Sequence, residues 1–380
     1  MRITRKTGGG LAALVLGLAL ATVPTQAQAA IPCDVAALQA AIVAANGTGG
    51  SIDLAPNCTY SVTDAQAIGD NAMPVIVNDI TLKGANSTIE RAATAVTLFR
   101  IFEIDGPSGK LTLNNVTLRN GHAPVNGGGV LVNSEGTLTL NTNAVVKENV
   151  ATVNGGGIQN DDGHVFLNSG SKITTNEAIG GGGIFSEGEV TAQSTNVSGN
   201  TALDSGGGIL NNVNGFLTLR SSVVSGNTAT TEEGGGVWNG DPRTTFTNTV
   251  ISGNTAGNSG GGLSNHGRAT FTSGRISDNN AANRGGGVNN TAQLNLNLTV
   301  LMANHVTVPA LTSHGGGLYN ESSTATLTRS NVYQNTVAPP GDGGGIYEQP
   351  GSTVNLVQSS VFNNSPDNCR PPGAVPGCVG

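Results

Sequence analysis

From Gly127 onward, apolar and polar positions follow a pattern that returns every 25 to 30 residues. Gly-Gly-Gly followed by an aliphatic residue occurs nine times, beginning at Gly127, Gly155, Gly181, Gly206, Gly234, Gly260, Gly285, Gly315 and Gly343. An asparagine follows each triplet by 19 to 22 residues: Asn149, Asn176, Asn200, Asn227, Asn254, Asn279, Asn304, Asn335 and Asn364. The gap from that asparagine to the next triplet varies from 5 to 11 residues, so length variation concentrates there. A period of this size marks a solenoid in which each repeat is one turn, or coil.

Three residues before each asparagine the chain is aliphatic, from Val146 and Ile173 through Leu301 to Val361. Eight and ten residues before it lie pairs such as Leu217/Leu219, Ala269/Phe271 and Leu294/Leu296. That spacing of two is the period of a strand with one buried face. In the first two coils the pair slips one place, to Leu138/Leu140 and Val165/Leu167, as a one-residue turn insertion would produce. The residue after each triplet, from Val130 to Ile346, adds a third inward column.

Each coil therefore predicts three short strands: after the triplet, in the L-x-L segment, and before the asparagine. About four buried aliphatics per coil supply on the order of 6–12 kcal/mol. Ordering the coil's residues costs several times that. No coil folds alone; stacking satisfies its backbone and makes its apolar columns continuous. The glycines suit a bend too tight for a Cβ. The asparagine suits a left-handed turn residue whose amide bonds its equivalent in the next coil. The predicted fold class is all-β: a single-stranded right-handed parallel β-helix.

Ahead of the triplets, Ile52 to Leu54, Val75 to Val77, Ile80 to Leu82, Phe99 to Ile104 and Leu111 to Leu118 read as less regular coils. The stretch from Asp34 to Asn46 reads as one helix with an aspartate cap, placed to cover an otherwise open solenoid end. The expected organisation is 1–30 signal peptide, 31–105 cap helix and irregular coils, 106–365 repeat β-helix, and 366–380 Pro-rich C-terminal cap.

The export reading rests on Arg2, Arg5 and Lys6, the apolar run from Leu11 to Val23, and the small-x-small site Ala27-Gln28-Ala29. Later stretches are not apolar enough to predict a transmembrane helix. Beyond residue 30 the chain carries fourteen Lys and Arg against 24 Asp and Glu, which disfavours nucleic acid and anionic lipid as partners. The 57 glycines and 11% charged residues would suit a disordered chain, but the periodicity rejects that. Cys33, Cys58, Cys369 and Cys378 all lie outside the repeats. In an oxidising space they read as disulfides, with local pairing stapling each end among three formal connectivities.

Gly206 to Ile209 with Ser225-Gly226-Asn227-Thr228-Ala229 resembles the repeats of bacterial polymorphic outer-membrane proteins, and more broadly secreted β-helix proteins of the pectin-lyase-like superfamily. The opening from Asp34 to Thr63 is similar to the start of many such proteins. The resemblance implies a surface-exposed or released, adhesin-like protein with cell-surface ligands or polysaccharides as partners. Here the triplet replaces that family's usual Gly-Gly-Ala, Phe-x-x-Asn is almost absent, and barrel strands are missing.

Enzymes of this fold class use paired carboxylates or carboxylate-held calcium. The turn six to eight residues after each triplet holds Glu135, Asp161, Asp162, Glu187 and Glu189 on three successive coils, forming a candidate acidic stripe for catalysis or calcium. Asp241 and Glu321 reappear there. Solvated turn acids give the same pattern without chemistry. The five histidines, His122, His164, His266, His305 and His314, lack metal-ligand spacing. Trp238 follows an inward valine and so points outward, where an aromatic could stack on a sugar. The long insertion from Asn304 to Gly315 and the segment from Thr336 to Asp342 are the expected variable surface. No catalytic or cofactor-binding residue is assigned. The first expectation is a non-enzymatic binding protein. A polysaccharide lyase or hydrolase, or a structural envelope or matrix component, are the alternatives.

Overall fold

The computed structural model describes residue 4, residues 29–66 and residues 69–379. The export segment read in 1–30 falls almost wholly outside them. What is described is a parallel β-solenoid with one helix at its N-terminal end.

That helix, α1 (Val35–Thr48), starts where expected: Asp34 is its N-cap and accepts from the Ala37 N–H at 2.8 Å. It buries Leu38, Ile42 and Ala45 against the first strands and covers the top of the stack.

In the repeats each coil but the last supplies four strands rather than three. In the coil that begins at Gly206 they are Ile209–Asn211, Phe216–Arg220, Val223–Ser225 and Thr228–Ala229. Each pairs in parallel with its equivalents above and below. Post-triplet strands form an 11-stranded sheet, and the two middle strands belong to a 22-stranded one. The fourth strand, two residues directly after the asparagine, builds a 9-stranded sheet in what reads from sequence as loop. Its inward column is alanine from Ala123 through Ala151, Ala178, Ala202, Ala229 and Ala256 to Ala281, residues too small to stand out in an aliphatic search, and valine only at Val306 and Val337.

The inward columns fall where the periodicity puts them. Leu138, Val165, Val190 and Leu217 share one register, as do Val146, Ile173 and Val197, so the one-residue slip of the first coils is absorbed in the turn after the L-x-L strand. Leu219, Phe246 and Phe271 are buried, and the two phenyl rings stack at 4.2 Å. The triplets line up as an edge: the Gly207 N–H donates to Gly234, that of Gly235 to Gly260, and that of Gly261 to Gly285. A Cβ on Gly207 would stand 2.5 Å from the Gly235 carbonyl oxygen.

The asparagines form a buried amide ladder in which each Nδ2 donates to the next Oδ1, for example Asn200 to Asn227 and Asn227 to Asn254, both at 2.9 Å. The left-handed residue, however, is the one before the asparagine. Glu148, Thr175, Gly199, Gly226, Gly253, Asp278, Ala303, Gln334 and Asn363 take φ of 52° to 64°. That turn aims the following amide inward, where it can stack. A second buried ladder, Asn211, Asn239, Asn265, Asn290 and Asn320, runs along the end of the 11-stranded sheet.

Cys33 pairs with Cys58 and Cys369 with Cys378, the local connectivity of the three. The C-terminal loop returns Cys369–Arg370 to the 11-stranded sheet against Ile346 and Tyr347. Among the described residues nothing extends the 22-stranded sheet beyond Thr353–Val357 and Ser360–Phe362, so Leu356 and Val361 are only half-buried.

Candidate functional site: a channel on the outside of the 11-stranded sheet

Strands of the 11-stranded sheet are mostly three residues long, with both ends turned inward and the middle residue outward. Register stacks those middle residues into one column: Gln159, Phe185, Leu210, Trp238, Ser264, Asn289, Tyr319 and Tyr347. This column is the floor of a channel along the stack. One wall is the residue just before each triplet, including Glu233, Ser259, Arg284, His314 and Asp342; backbone bridges join the last four in sequence. The other wall is the residue following each strand, including Asp161, Glu187, Asn212, His266, Thr291 and Glu321.

Two side-chain bridges cross the channel. Glu233 accepts from His266 Nε2 at 2.6 Å and from the floor hydroxyl of Ser264 at 2.8 Å. Arg284 reaches Glu321 at 3.6 Å with its guanidinium 5.1 Å from the centre of the Tyr319 ring. Asn289 lies on the strand between these bridges, in a cleft of about 780 Å³. Its Nδ2 donates to Ser264 Oγ at 3.2 Å, while its Oδ1, although buried, has no partner.

Burial favours the neutral form of Glu233. Hydrogen bonds from His266 and Ser264, with the charges of His266 and Arg284, outweigh it and hold the carboxyl below its ordinary value. Ser264, His266 and Glu233 together look like a hydrolase triad, but their wiring excludes a relay. Ser264 and Glu233 both contact the same ring nitrogen, Nε2, and each other. A relay needs the carboxylate and the nucleophile on opposite nitrogens. Nδ1 instead faces the Thr291 hydroxyl at 2.9 Å, which also bonds the Asn265 carbonyl at 3.2 Å.

Towards the N-terminus the floor turns apolar. Ile179, Phe185, Leu210 and Trp238 line a hollow of about 330 Å³ edged by Asn154 and Asp204. Trp238 also stacks on His266, centroids 5.2 Å apart, and so separates hollow from cleft. At the far end His314 stacks on Tyr347 at 4.0 Å and bonds Asp342 at 2.6 Å.

The residues of the acidic stripe are spread over this wall and beyond it. Asp161 and Glu187 stand in the second wall, held by Gln159 and Asn212 respectively. Exposed Glu135 and Asp162 are successive turn residues, linked through the Glu135 N–H and the Asp162 carbonyl. Glu189 instead opens the strand Glu189–Gln193 of the 22-stranded sheet, where it faces His164 at 3.0 Å. Among the described residues no three His, Cys, Asp or Glu side chains gather as a metal-holding group. Of the residues singled out in the sequence, Trp238 stands on the floor and Asp161, Glu187 and Glu321 in the second wall. Ser264, Asn289 and Tyr319, which strand alternation turns outward as it does Trp238, carry no mark in the sequence that sets them apart.

No known family profile matches the sequence, and no curated protein does. Among solved structures, a mutant tailspike protein of E. coli bacteriophage HK620 in complex with a pentasaccharide is 12% identical over 85% of this chain, with a TM-score of 0.49. A double mutant of the same tailspike in complex with a pentasaccharide is 13% identical over 88% of this chain, with a TM-score of 0.46. The chain spans 66% of the length of the first of these. Both are likenesses of chain trace alone.

Proposed function

We propose that this is an exported, surface-bound or released protein that holds a polysaccharide in the channel without cleaving it. The observation that carries the reading is the floor: apolar and aromatic faces at Phe185, Leu210 and Trp238, then polar Ser264 and Asn289, then Tyr319 and Tyr347, in one straight column. Sugar rings present apolar C–H faces and hydroxyl edges, and a site for them combines flat aromatic surface with a few placed polar groups. Successive floor positions are ~4.8 Å apart, the strand spacing of a sheet, about one sugar residue. Two disulfides and an excess of acids suit an oxidising space outside the cell and a partner other than nucleic acid.

Binding is favoured over hydrolysis by the state of the acids. A glycosidase needs one carboxyl held protonated by its surroundings. In the cleft, Glu233 is pushed the other way, and Glu321 is paired with Arg284. The carboxyl that burial does push up, Glu348, sits in the inward column and accepts the Val354 N–H at 2.8 Å. The lyase or hydrolase alternative would place chemistry at Asp161, Asp162 and Glu187.

Affinity electrophoresis of the purified chain through gels containing different polysaccharides tests the reading, with reducing ends and unsaturated uronates measured in parallel. Retardation by at least one polysaccharide, weakened by Trp238→Ala and without product release, is expected. Product release lost in an Asp161→Ala, Asp162→Ala, Glu187→Ala variant would establish the enzyme instead.

A further inference from the structure

We infer that the cleft around Asn289 selects an uncharged sugar, taking one of its hydroxyl or amide N–H groups on Asn289 Oδ1, and excludes uronates. This rests on the polysaccharide reading above and adds the chemical class to it. Asn289 stands among the residues lining the cleft yet is only 3% exposed, and its side-chain carbonyl oxygen, sealed just beneath the cleft surface, has no partner, so a donor reaches it only as the cleft side chains over it give way. A buried acceptor left unpaired is costly, so the site is complete only when a donor arrives.

Charge decides which donor-bearing ligand fits. The two bridges flanking Asn289 each carry a carboxylate, Glu233 and Glu321, and the basic side chains beside them, His266 and Arg284, are already engaged with those carboxylates. An incoming uronate would add a third negative charge to a partly desolvated cleft with no further basic side chain among its described lining residues. A neutral sugar brings none, and its hydroxyls match the surrounding Asn258, Ser259, Asn283 and Thr312. A peptide adding itself as a strand is disfavoured here: the floor strands around Asn289 are paired on both sides, so the channel offers no free backbone edge. Trp238 and Tyr347 lie four strands apart, on the order of 19 Å at sheet spacing. The ligand that touches both is therefore an oligomer of several residues.

The test compares neutral polysaccharides (dextran, galactomannan and an N-acetylated glycan) with polygalacturonate and alginate. Isothermal titration is run on the wild-type chain and on Asn289→Ala, Asn289→Ser and Trp238→Ala, each checked by thermal unfolding. Serine already occupies the equivalent floor position at Ser264, so Asn289→Ser keeps the stack intact if the alanine variant does not. At least one neutral glycan is expected to bind. The Asn289 variants should weaken it about tenfold, and the uronates should bind at least tenfold more weakly than that glycan. Uronate binding that is tighter than neutral binding and lost in Trp238→Ala would overturn the charge selection while leaving the channel reading intact. Neutral binding unchanged by the Asn289 variants but lost in Trp238→Ala would remove the cleft as its reader. Failure of every polysaccharide to bind the wild-type chain would sink both readings.

Discussion

The amide of Asn227 donates from Nδ2 to Asn254 Oδ1 at 2.9 Å, and that same Oδ1 accepts the backbone N–H of Asn227 at 2.9 Å. Each ladder asparagine therefore closes a small ring with the next, and each also donates to a carbonyl in the preceding coil, here Val197 at 3.0 Å. Three coils are tied at one fully buried point.

Replacing one rung should unpair several groups at once. In Asn227→Ala, the Asn200 N–H and the Val197 carbonyl lose their side-chain partners inside the stack. At about 1–3 kcal/mol for a buried group left unsatisfied, a destabilisation of about 2–4 kcal/mol is expected. Urea unfolding followed by circular dichroism measures it. A loss below 0.5 kcal/mol, an order-of-magnitude limit set by ordinary surface substitutions, would mean that the ladder is decorative.

Two glycines of one coil should respond to very different degrees. At Gly207 an added Cβ meets backbone oxygens of Gly235 and Thr228 at 2.5 Å, with nothing flexible to move aside. At Gly226 it meets nothing within 4 Å, and other coils carry Glu148, Gln334 or Asn363 in that left-handed position. Gly226→Ala should cost about 1 kcal/mol, the usual penalty of a left-handed L-residue. Gly207→Ala should cost several times more or prevent folding. Comparison of their thermal midpoints decides the matter.

This contrast also shows what the sequence makes legible. Inward positions are constrained by burial, so Leu219, Phe246 and Phe271 repeat as one class and expose the stack. The tight glycine bend and the amide ladder repeat for the same reason. The alanine column was hidden because Ala202 and Ala229 are too small to mark a face. Outward positions are constrained by nothing inside the fold. Trp238, Ser264, Asn289 and Tyr319 share one register yet no chemistry, and only strand alternation links them. Glu189 shows the opposite failure: its count from the triplet groups it with the turn acids, while register places it in a neighbouring sheet.

Trp238 is half-buried, with one face against His266 and its edge in the apolar hollow, so it is better placed to serve a ligand than the core. Trp238→Ala should lower polysaccharide affinity about tenfold or more, as loss of an aromatic anchor does. Its thermal midpoint should fall far less than that of Phe246→Ala, whose ring is wholly buried and stacked on Phe271. A midpoint drop in Trp238→Ala equal to that of Phe246→Ala would reassign the tryptophan to the core.

Two glutamates should pull stability in opposite directions as pH changes. The Glu233 carboxyl is held below its ordinary value near 4.5 because its hydrogen bonds and neighbouring charges outweigh burial. A carboxyl lowered on folding stabilises the fold above its unfolded pKa, and that contribution disappears as pH falls through the folded value. Burial raises Glu348 above the same ordinary value, only partly opposed by the Val354 N–H. Its contribution favours the fold below the unfolded pKa and is lost as pH rises through the folded value. At pH 7, then, Glu233→Gln should destabilise the protein and Glu348→Gln should stabilise it; as pH falls, the Glu348 difference should vanish below the ordinary carboxyl value and the Glu233 difference only further down, through its lowered folded value. Urea midpoints of the two variants across that range test the pair together. A Glu348→Gln variant less stable than wild type at neutral pH would show that its bond to Val354 outweighs burial.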